Sequence, residues 1–576
     1  MWEAIALTGM ASMHTSIGEH EKAIGFATDA RKLFQETGAG NYETRALYWM
    51  ARIDMARGRM DDALDYSAAA LAAIESLRAS VARRDLQISF FATASEQYEL
   101  EIEILMRLHR ERPAGRWDAK AFEVFERARA RGLIDSLGEM HADVRQGVPA
   151  DLLDREQSLH DLLDAKTDRQ LKILSGRHTE SQASAAEGEI RSLLAEYQQV
   201  EAQIRASSRR YADLTHPEAL HLEDIQQHAL DPDTLLLAYA LGGERSYVWC
   251  VSGTSIASYE LPKREEIEKA ALGAYKEWSE NSEERQASML GRTLLAPLAG
   301  MLGQKVAEGA LQYVPFAALR APNGRRLVLD HEIVNQPSAS ALIALRRELA
   351  GRKPASKMAA VFADPVYSST DPRVKAPTGS AGDPGLDRLQ HSRTDADAIA
   401  ALWPNSNLRA LDFDANRARA TSGVLANYRI VHFASHGVMN AEHPELSGLV
   451  LSLIDEKGNA RDGYLRAHEI FNLKLAADLV VLSACRTAFG KDIKGEGSMA
   501  LTRGFFYAGA ARVLASLWTV PDGGAAEIMG HFYRGMRQQH LGPAAALRAA
   551  QIAMLGDVRW RDPYSWAGFT IQGDYP

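Results

Sequence analysis

The chain has 576 residues, more than one hydrophobic core accommodates, so a division into roughly two to four domains is expected. Hydrophobic residues make up 46% and charged residues 24%, the balance of an ordinary globular protein rather than a disordered or fibrous one. A formal charge of -9 with a pI near 6.1 excludes the basic footprint of a direct nucleic-acid binder, and two cysteines exclude a disulfide framework.

In chain order, the opening "MWEAIALTGMASMHTSIGEHEKAIG" has no basic segment followed by a continuous apolar run, so it does not read as a signal peptide. The longest apolar runs, "LLLAYAL" and "LVVLSAC", fall far short of a membrane span. No membrane association and a cytoplasmic location are expected, with both thiols free.

Two segments then echo each other with a period of 40 residues: "GEHEKAIGFATDARKLF" from Gly18 and "GRMDDALDYSAAALAAI" from Gly58. Each follows a helical stretch, so the unit is helix, glycine turn, helix. Ala23 and Ala63 are small enough to let paired helices approach closely. One such hairpin cannot bury its apolar face alone, which predicts a stacked solenoid. The unit resembles a tetratricopeptide repeat, longer than the commonest form. A third, degenerate pair is expected over Asp85–Leu108 and Asp118–Leu137. From Asp151 to Tyr211, two leucine- and isoleucine-bearing stripes at helical spacing predict an antiparallel helical hairpin, a spacer packed on the repeats with a dedicated partner helix as the alternative.

After Pro217 the periodicity changes. "TLLLAYALGG", "SYVWCVSG" and "SIASYELP" predict strands joined by tight turns, with Cys250 a small buried hydrophobe beside Trp249. Further on, "KMAAVFADP", "YRIVHFASHG", "DLVVLSAC" and "ARVLASLW" predict near-continuous apolar strands. They alternate with the helices "TDADAIAALW", "GSMALTRGFFYAG", "GAAEIMGHFYRGMRQQ" and "PAAALRAAQIAML". That alternation predicts a mainly parallel sheet covered on both faces.

Reactive side chains stand at two of these strand ends. "RIVHFASHG" ends in His436 and Gly437, and "LVVLSACRT" ends in Cys485 and Arg486, with histidine and cysteine 49 residues apart. Ligands and catalytic groups gather beyond the carboxyl ends of parallel strands. If the two strands are neighbours, an imidazole faces a thiol, favours its thiolate and returns the proton to a leaving amine. The N–H groups of Gly437 and Cys485 would then form an oxyanion hole. His432, inside the strand pattern, reads as support for the sheet.

These two boxes resemble the His and Cys boxes of caspase-like (clan CD) cysteine proteases. "ALQYVPFAAL", "QPSASAL", "VFADPVY", "GEGSMALTRGFFYAGAARVLASLWTV" and "DPYSWAGFTIQG" together resemble the CHAT domain, the caspase-like module that accompanies tetratricopeptide repeats. The resemblance extends to "AFEVFERARARGLIDSL", similar to the helix that joins the repeats to such domains. It implies a multidomain fold: an all-α tetratricopeptide-like solenoid and helical hairpin, followed by an α/β caspase-like domain with a mainly parallel sheet. It implies four regions: repeats over 1–145, the spacer over 146–220, a non-catalytic part of the CHAT domain over 221–355 and a catalytic part over 356–576.

The family's catalytic pair transfers onto His436 and Cys485, and its oxyanion donors onto Gly437 and Cys485. Glu496 and Asp522 match polar positions that line the substrate pocket, each with a helix cap as its alternative role. The resemblance thus implies a cysteine endopeptidase acting on a protein substrate without cofactor or metal, in prokaryotic signalling or defence. A regulatory protein or ribonucleoprotein partner on the repeats would gate it. The alternatives are a catalytically silent scaffold and a different thiol hydrolase such as an amidase. No phosphate loop, no HExxH zinc pair and no GxSxG elbow occurs in the sequence.

Overall fold

The computed structural model describes residues 1–37, 40–78, 84–139, 149–155, single positions between 158 and 203, 220–302, 305–308, 311, 313–375, 386–438, 447–483 and 500–575. They divide into two units, residues 1–128 with 144–219, and residues 129–143 with 220–576.

In the first unit, α1 (Trp2–Ser16) and α2 (His20–Glu36) form one hairpin, and α3 (Gly40–Ala56) and α4 (Met60–Arg78) form the next. Both turn at the repeated glycine. Gly18 has φ +79° and Gly58 φ +75°, and no atom crowds a notional Cβ at either, so backbone conformation is the requirement rather than space. Along α2 the buried residues Ala23, Ala27, Ala30 and Phe34 follow helical spacing. Burial of Phe34, 1% exposed, contributes about 2 kcal/mol. Ala11, Ala23, Ala27, Met50 and Ile53 make one cluster from α1, α2 and α3, so the hairpins close each other's cores as the solenoid reading requires. The third pair, α5 (Arg84–Glu111) and α6 (Trp117–Glu139), supplies Leu100, Ile104 and Leu108 of α5 to a cluster with Ala51, Met60 and Ala63.

In the spacer, Leu159 and Val200 pack with Leu152, Leu153 and Leu193. Arg155 pairs with Glu196 at 2.9 Å and Lys166 with Glu189 at 2.6 Å. One partner's number rises as the other's falls, the order of an antiparallel pair.

The second unit is α/β. Its first strands are β1 (Thr234–Ala240), β2 (Ser246–Val251), β3 (Ile256–Leu261), β4 (Lys305–Glu308), β5 (Glu332–Asn335), β6 (Lys357–Pro365) and β7 (Asn407–Asp412). Then come β8 (Tyr428–Ala434), β9 (His436–Val438), β10 (Gly448–Val450), β11 (Tyr464–Arg466), β12 (Leu479–Leu482), β13 (Arg512–Ser516) and β14 (Phe569–Gly573). Eleven form one sheet in the order β3-β2-β1-β4-β5-β14-β13-β12-β8-β6-β7, and β11-β10-β9 form a small second sheet.

The large sheet holds two parallel blocks of opposite direction. One is β1, β4, β5 and β14; the other is β13, β12, β8, β6 and β7. They meet at the antiparallel pair β13–β14. Every residue of β12 is buried, as are Ala359 to Ala363 of β6 and Val431 to Phe433 of β8. That is the burial of strands covered on both faces. Two covering helices bear on the site, α7 (Gln390–Leu402) and α8 (Asp522–Gln538), which pack on each other, with α7 also on β6. Among the described residues no helix is long and apolar enough to cross a membrane.

Candidate active site

Strands β8 and β12 are parallel neighbours, with Phe433 opposite Leu482, and the Ser483 N–H donates to the Phe433 carbonyl at 3.0 Å. Paired strands run about 4.8 Å apart. His436 is the third residue after Phe433 and opens β9, half-buried. Cys485 is by chain count the third residue after Leu482 and lies outside the described residues, as does Glu496. Gly437 follows in β9, opposite Leu449 of β10, and is half-buried.

His436 Nε2 lies 2.7 Å from the main-chain oxygen of Asp387. A carbonyl only accepts, so Nε2 carries the proton and Nδ1 is the basic nitrogen of the neutral ring. The Tyr367 ring lies 5.2 Å away between centroids, and its hydroxyl accepts from the His436 N–H at 3.4 Å. The imidazole is therefore fixed in position and in tautomer by a main-chain oxygen and a tyrosine.

The segment carrying the Asp387 carbonyl is anchored by charge. Asp364 stands at the end of β6, where the register shifts between Ala363 and Pro365, and has φ +48° with its side chain fully buried. Arg388 grips its carboxylate at 2.8 and 2.7 Å, Arg393 at 2.8 Å and Arg373 at 3.0 Å. Arg373 also reaches Asp412 at 2.7 Å and Asp371 at 2.6 Å, and Arg393 reaches Asp412. Asp412 ends β7, again at a positive φ of 53°. Forked guanidiniums across two strand ends hold residues 386–393 against the histidine.

At the carboxyl ends of β8, β12 and β13 lies a small, partly open cleft. Ala434, Ser483 and Ser516 form its strand side, and Leu389, Ser392, Asp395, Val520, Asp522, Ala525 and Phe569 the rest. Asp522 opens α8, and its Oδ2 accepts from the His391 N–H of α7 at 2.9 Å. Its carboxylate thus caps the start of α7 and lines the cleft.

Asp395 was not foreseen from the sequence. It is 6% exposed, and burial together with the nearby charge of Asp522 pushes its carboxyl up to about 8. The Asp387 carbonyl and the Asp364 anchor were also missed, the first because a main-chain oxygen leaves no mark in a sequence. His432 supports the sheet as expected. It is fully buried, its Nδ1 pairs with the Tyr533 hydroxyl at 2.8 Å, and burial lowers it to about 3, so it stays neutral. Cys250 is 1% exposed, its thiol pushed up to about 12 by burial, the inert filler expected.

The family model of the CHAT domain matches residues 284–574, half of the chain. The chain belongs to the CHAT-domain family. The matched region begins after β3, yet β1 pairs in parallel with β4, so the sheet of the CHAT domain continues into three strands ahead of the match. Among curated proteins, the chain is similar to tetratricopeptide repeat protein 28 of Mus musculus, 35% identical over 113 residues, which are 20% of this chain and 4% of that protein. The human protein of the same name is 26% identical over 305 residues, 46% of this chain and 12% of that protein. The chain thus spans a small fraction of the curated relatives it matches. Among solved structures, the Saccharomyces cerevisiae separase–securin complex aligns with a TM-score of 0.41 and 9% identity, over 99% of this chain and 49% of that one. The Arg-specific cysteine proteinase gingipain R aligns with a TM-score of 0.33 and 10% identity, over 54% of this chain and 73% of that one.

Proposed function

We propose that this CHAT-domain protein is a caspase-like cysteine endopeptidase that cleaves a protein substrate through Cys485 and His436. The observation that carries the reading is the in-register parallel pairing of β8 with β12, with His436 and Cys485 the same number of residues past one aligned pair. In this mechanism Nδ1 of His436 takes the thiol proton while Nε2 stays bonded to the Asp387 carbonyl. The thiolate sulfur attacks the scissile carbonyl, whose oxygen becomes an oxyanion held by the N–H groups of Gly437 and Cys485. The imidazolium then protonates the departing amine, and water attacks the thioester, giving its proton to Nδ1 as the acid product leaves.

In this reading residues 221–355 complete the sheet without taking part in the chemistry, and residues 356–576 carry the pair. The helical repeats hold a regulatory protein or ribonucleoprotein partner that gates cleavage.

Alkylation of the thiols tests the pair without the partner or the substrate. At pH 7, iodoacetamide should modify Cys485 roughly tenfold or more faster in the wild type than in His436→Ala, because the imidazole raises the thiolate fraction. Cys250, buried, stays unmodified and serves as the internal control. Equal rates in the two proteins would sink the reading.

A further inference from the structure

We propose that the cleft beside His436 receives a basic side chain, arginine or lysine, at the residue preceding the scissile bond; this rests on the endopeptidase reading above. The cleft opens at Ala434 and Ser483, each two residues before a member of the proposed pair, which is where a substrate's first side chain must turn into the protein.

Its chemistry is that of an amphipathic cation's receptor. Ala434, Val520, Ala525 and Leu389 offer apolar wall for an alkyl stem, and Asp395 and Asp522 offer carboxylates for its head. Asp395 is the decisive group. It stands three residues after Ser392 on the same face of α7, is 6% exposed, and its carboxyl has no hydrogen-bond donor among the described residues. A buried polar group is ordinarily partnered, so a carboxyl left without a donor on the wall of a cavity faces the position of an absent one.

Among the described residues, the cations nearest along the chain do not answer it. Arg388 and Arg393 are committed to Asp364 and Asp412. Asp522 has one oxygen on the His391 N–H and no ion pair among the described residues. Two carboxyls without a counter-ion among the described residues thus share one cavity, and an entering cation stabilises their ionised forms as a neutral or acidic side chain does not. Arginine has the donor fork to engage both carboxyls; lysine places a single ammonium between them.

The test separates binding from cleavage. Full-length Cys485→Ala is titrated by fluorescence anisotropy with labelled peptides identical except at one residue: arginine, lysine, citrulline or glutamate. The arginine and lysine peptides should bind roughly tenfold or more tighter than the citrulline peptide, and the glutamate peptide weakest. Asp395→Asn in the same background should erase the preference while leaving citrulline binding unchanged, with Asp522→Asn reducing it in part. Equal affinity for arginine and citrulline, or a preference that survives Asp395→Asn, overturns the pocket assignment. The same peptides incubated with the wild type then report on the parent reading. Preferential binding without cleavage keeps the pocket and removes the protease, whereas cleavage after a neutral or acidic residue keeps the protease and removes the pocket.

Discussion

The two parallel blocks of the sheet end very differently. Where β5 and β14 end, polar groups near the strand termini are cross-linked to one another. Arg129 donates to the carbonyls of Gln336 and Pro337 at 2.9 and 2.7 Å, and the Gln336 amide to the carbonyl of Gly573 at 2.5 Å. Arg346 holds Asp574 at 2.9 Å, and the Tyr575 hydroxyl reaches the Ala229 carbonyl at 2.7 Å. The carboxyl ends of β8, β12 and β13 instead border a cleft, a pinned imidazole and a buried acid without a donor among the described residues. One strand architecture yields both a sealed end and an open one. What separates them is a cross-linked set of hydrogen bonds and ion pairs at one end and a cleft at the other.

The comparison breaks most visibly at the proposed pair. Cys485→Ala and His436→Ala should each lower peptide cleavage by about a thousandfold or more with an unchanged circular dichroism spectrum. Residual cleavage near the wild-type rate in the cysteine variant would move the chemistry elsewhere. The next effect is on folding. Asp364→Ala leaves three guanidiniums without their buried acceptor and should cost about 3–5 kcal/mol, read as a lower urea midpoint. Arg388→Ala, at a half-exposed position, should keep the fold and lower kcat about tenfold with KM unchanged, since it loosens only the carbonyl that orients the histidine.

At the sealed end, Arg129→Met should cost about 1–3 kcal/mol by leaving two carbonyls unanswered. It should leave the alkylation rate of Cys485 untouched; a changed rate would show that the two ends are coupled.

The smallest effect is on pH dependence. Asp395, at about 8 in the folded protein against an ordinary 3.8, keeps a proton that the unfolded chain releases. Its contribution to stability is therefore complete below pH 3.8 and is lost as pH climbs toward 8. Asp395→Asn should flatten that slope and raise the melting temperature at pH 8 by about 2–4 °C. His432, lowered to about 3 from 6.5, acts in the opposite sense: its contribution is complete above pH 6.5 and is lost as pH falls toward 3. An unaltered slope in Asp395→Asn would mean that the carboxyl is ionised in the folded state.

What could be read in the sequence follows from the strength of local signals. The repeats showed through Gly18 and Gly58, because only a left-handed turn needs glycine at both. Strands β1, β2, β6, β8, β12 and β13 showed as apolar runs, since burial on both faces demands them. Strands β9, β10 and β11 have three residues each, too few to carry a period, and β7 sits at the sheet edge where "NLRALD" keeps polar residues. His436 showed because a reactive side chain follows an apolar strand. Asp395 did not: within "TDADAIAALW" an acid reads as the solvent side of an amphipathic helix, and only the packing of α7 against α8 turns it inward. Position carries its meaning, not residue type.

The oxygen that orients His436 belongs to the main chain, so its supply does not depend on which side chain residue 387 bears. Substitution at 387 should be borne freely, apart from replacements that bend the backbone. Intolerance shifts to Arg388 and Asp364, which never touch the ring yet fix where that oxygen stands. A mutational scan would thus find its sensitive positions one step away from the atom that matters.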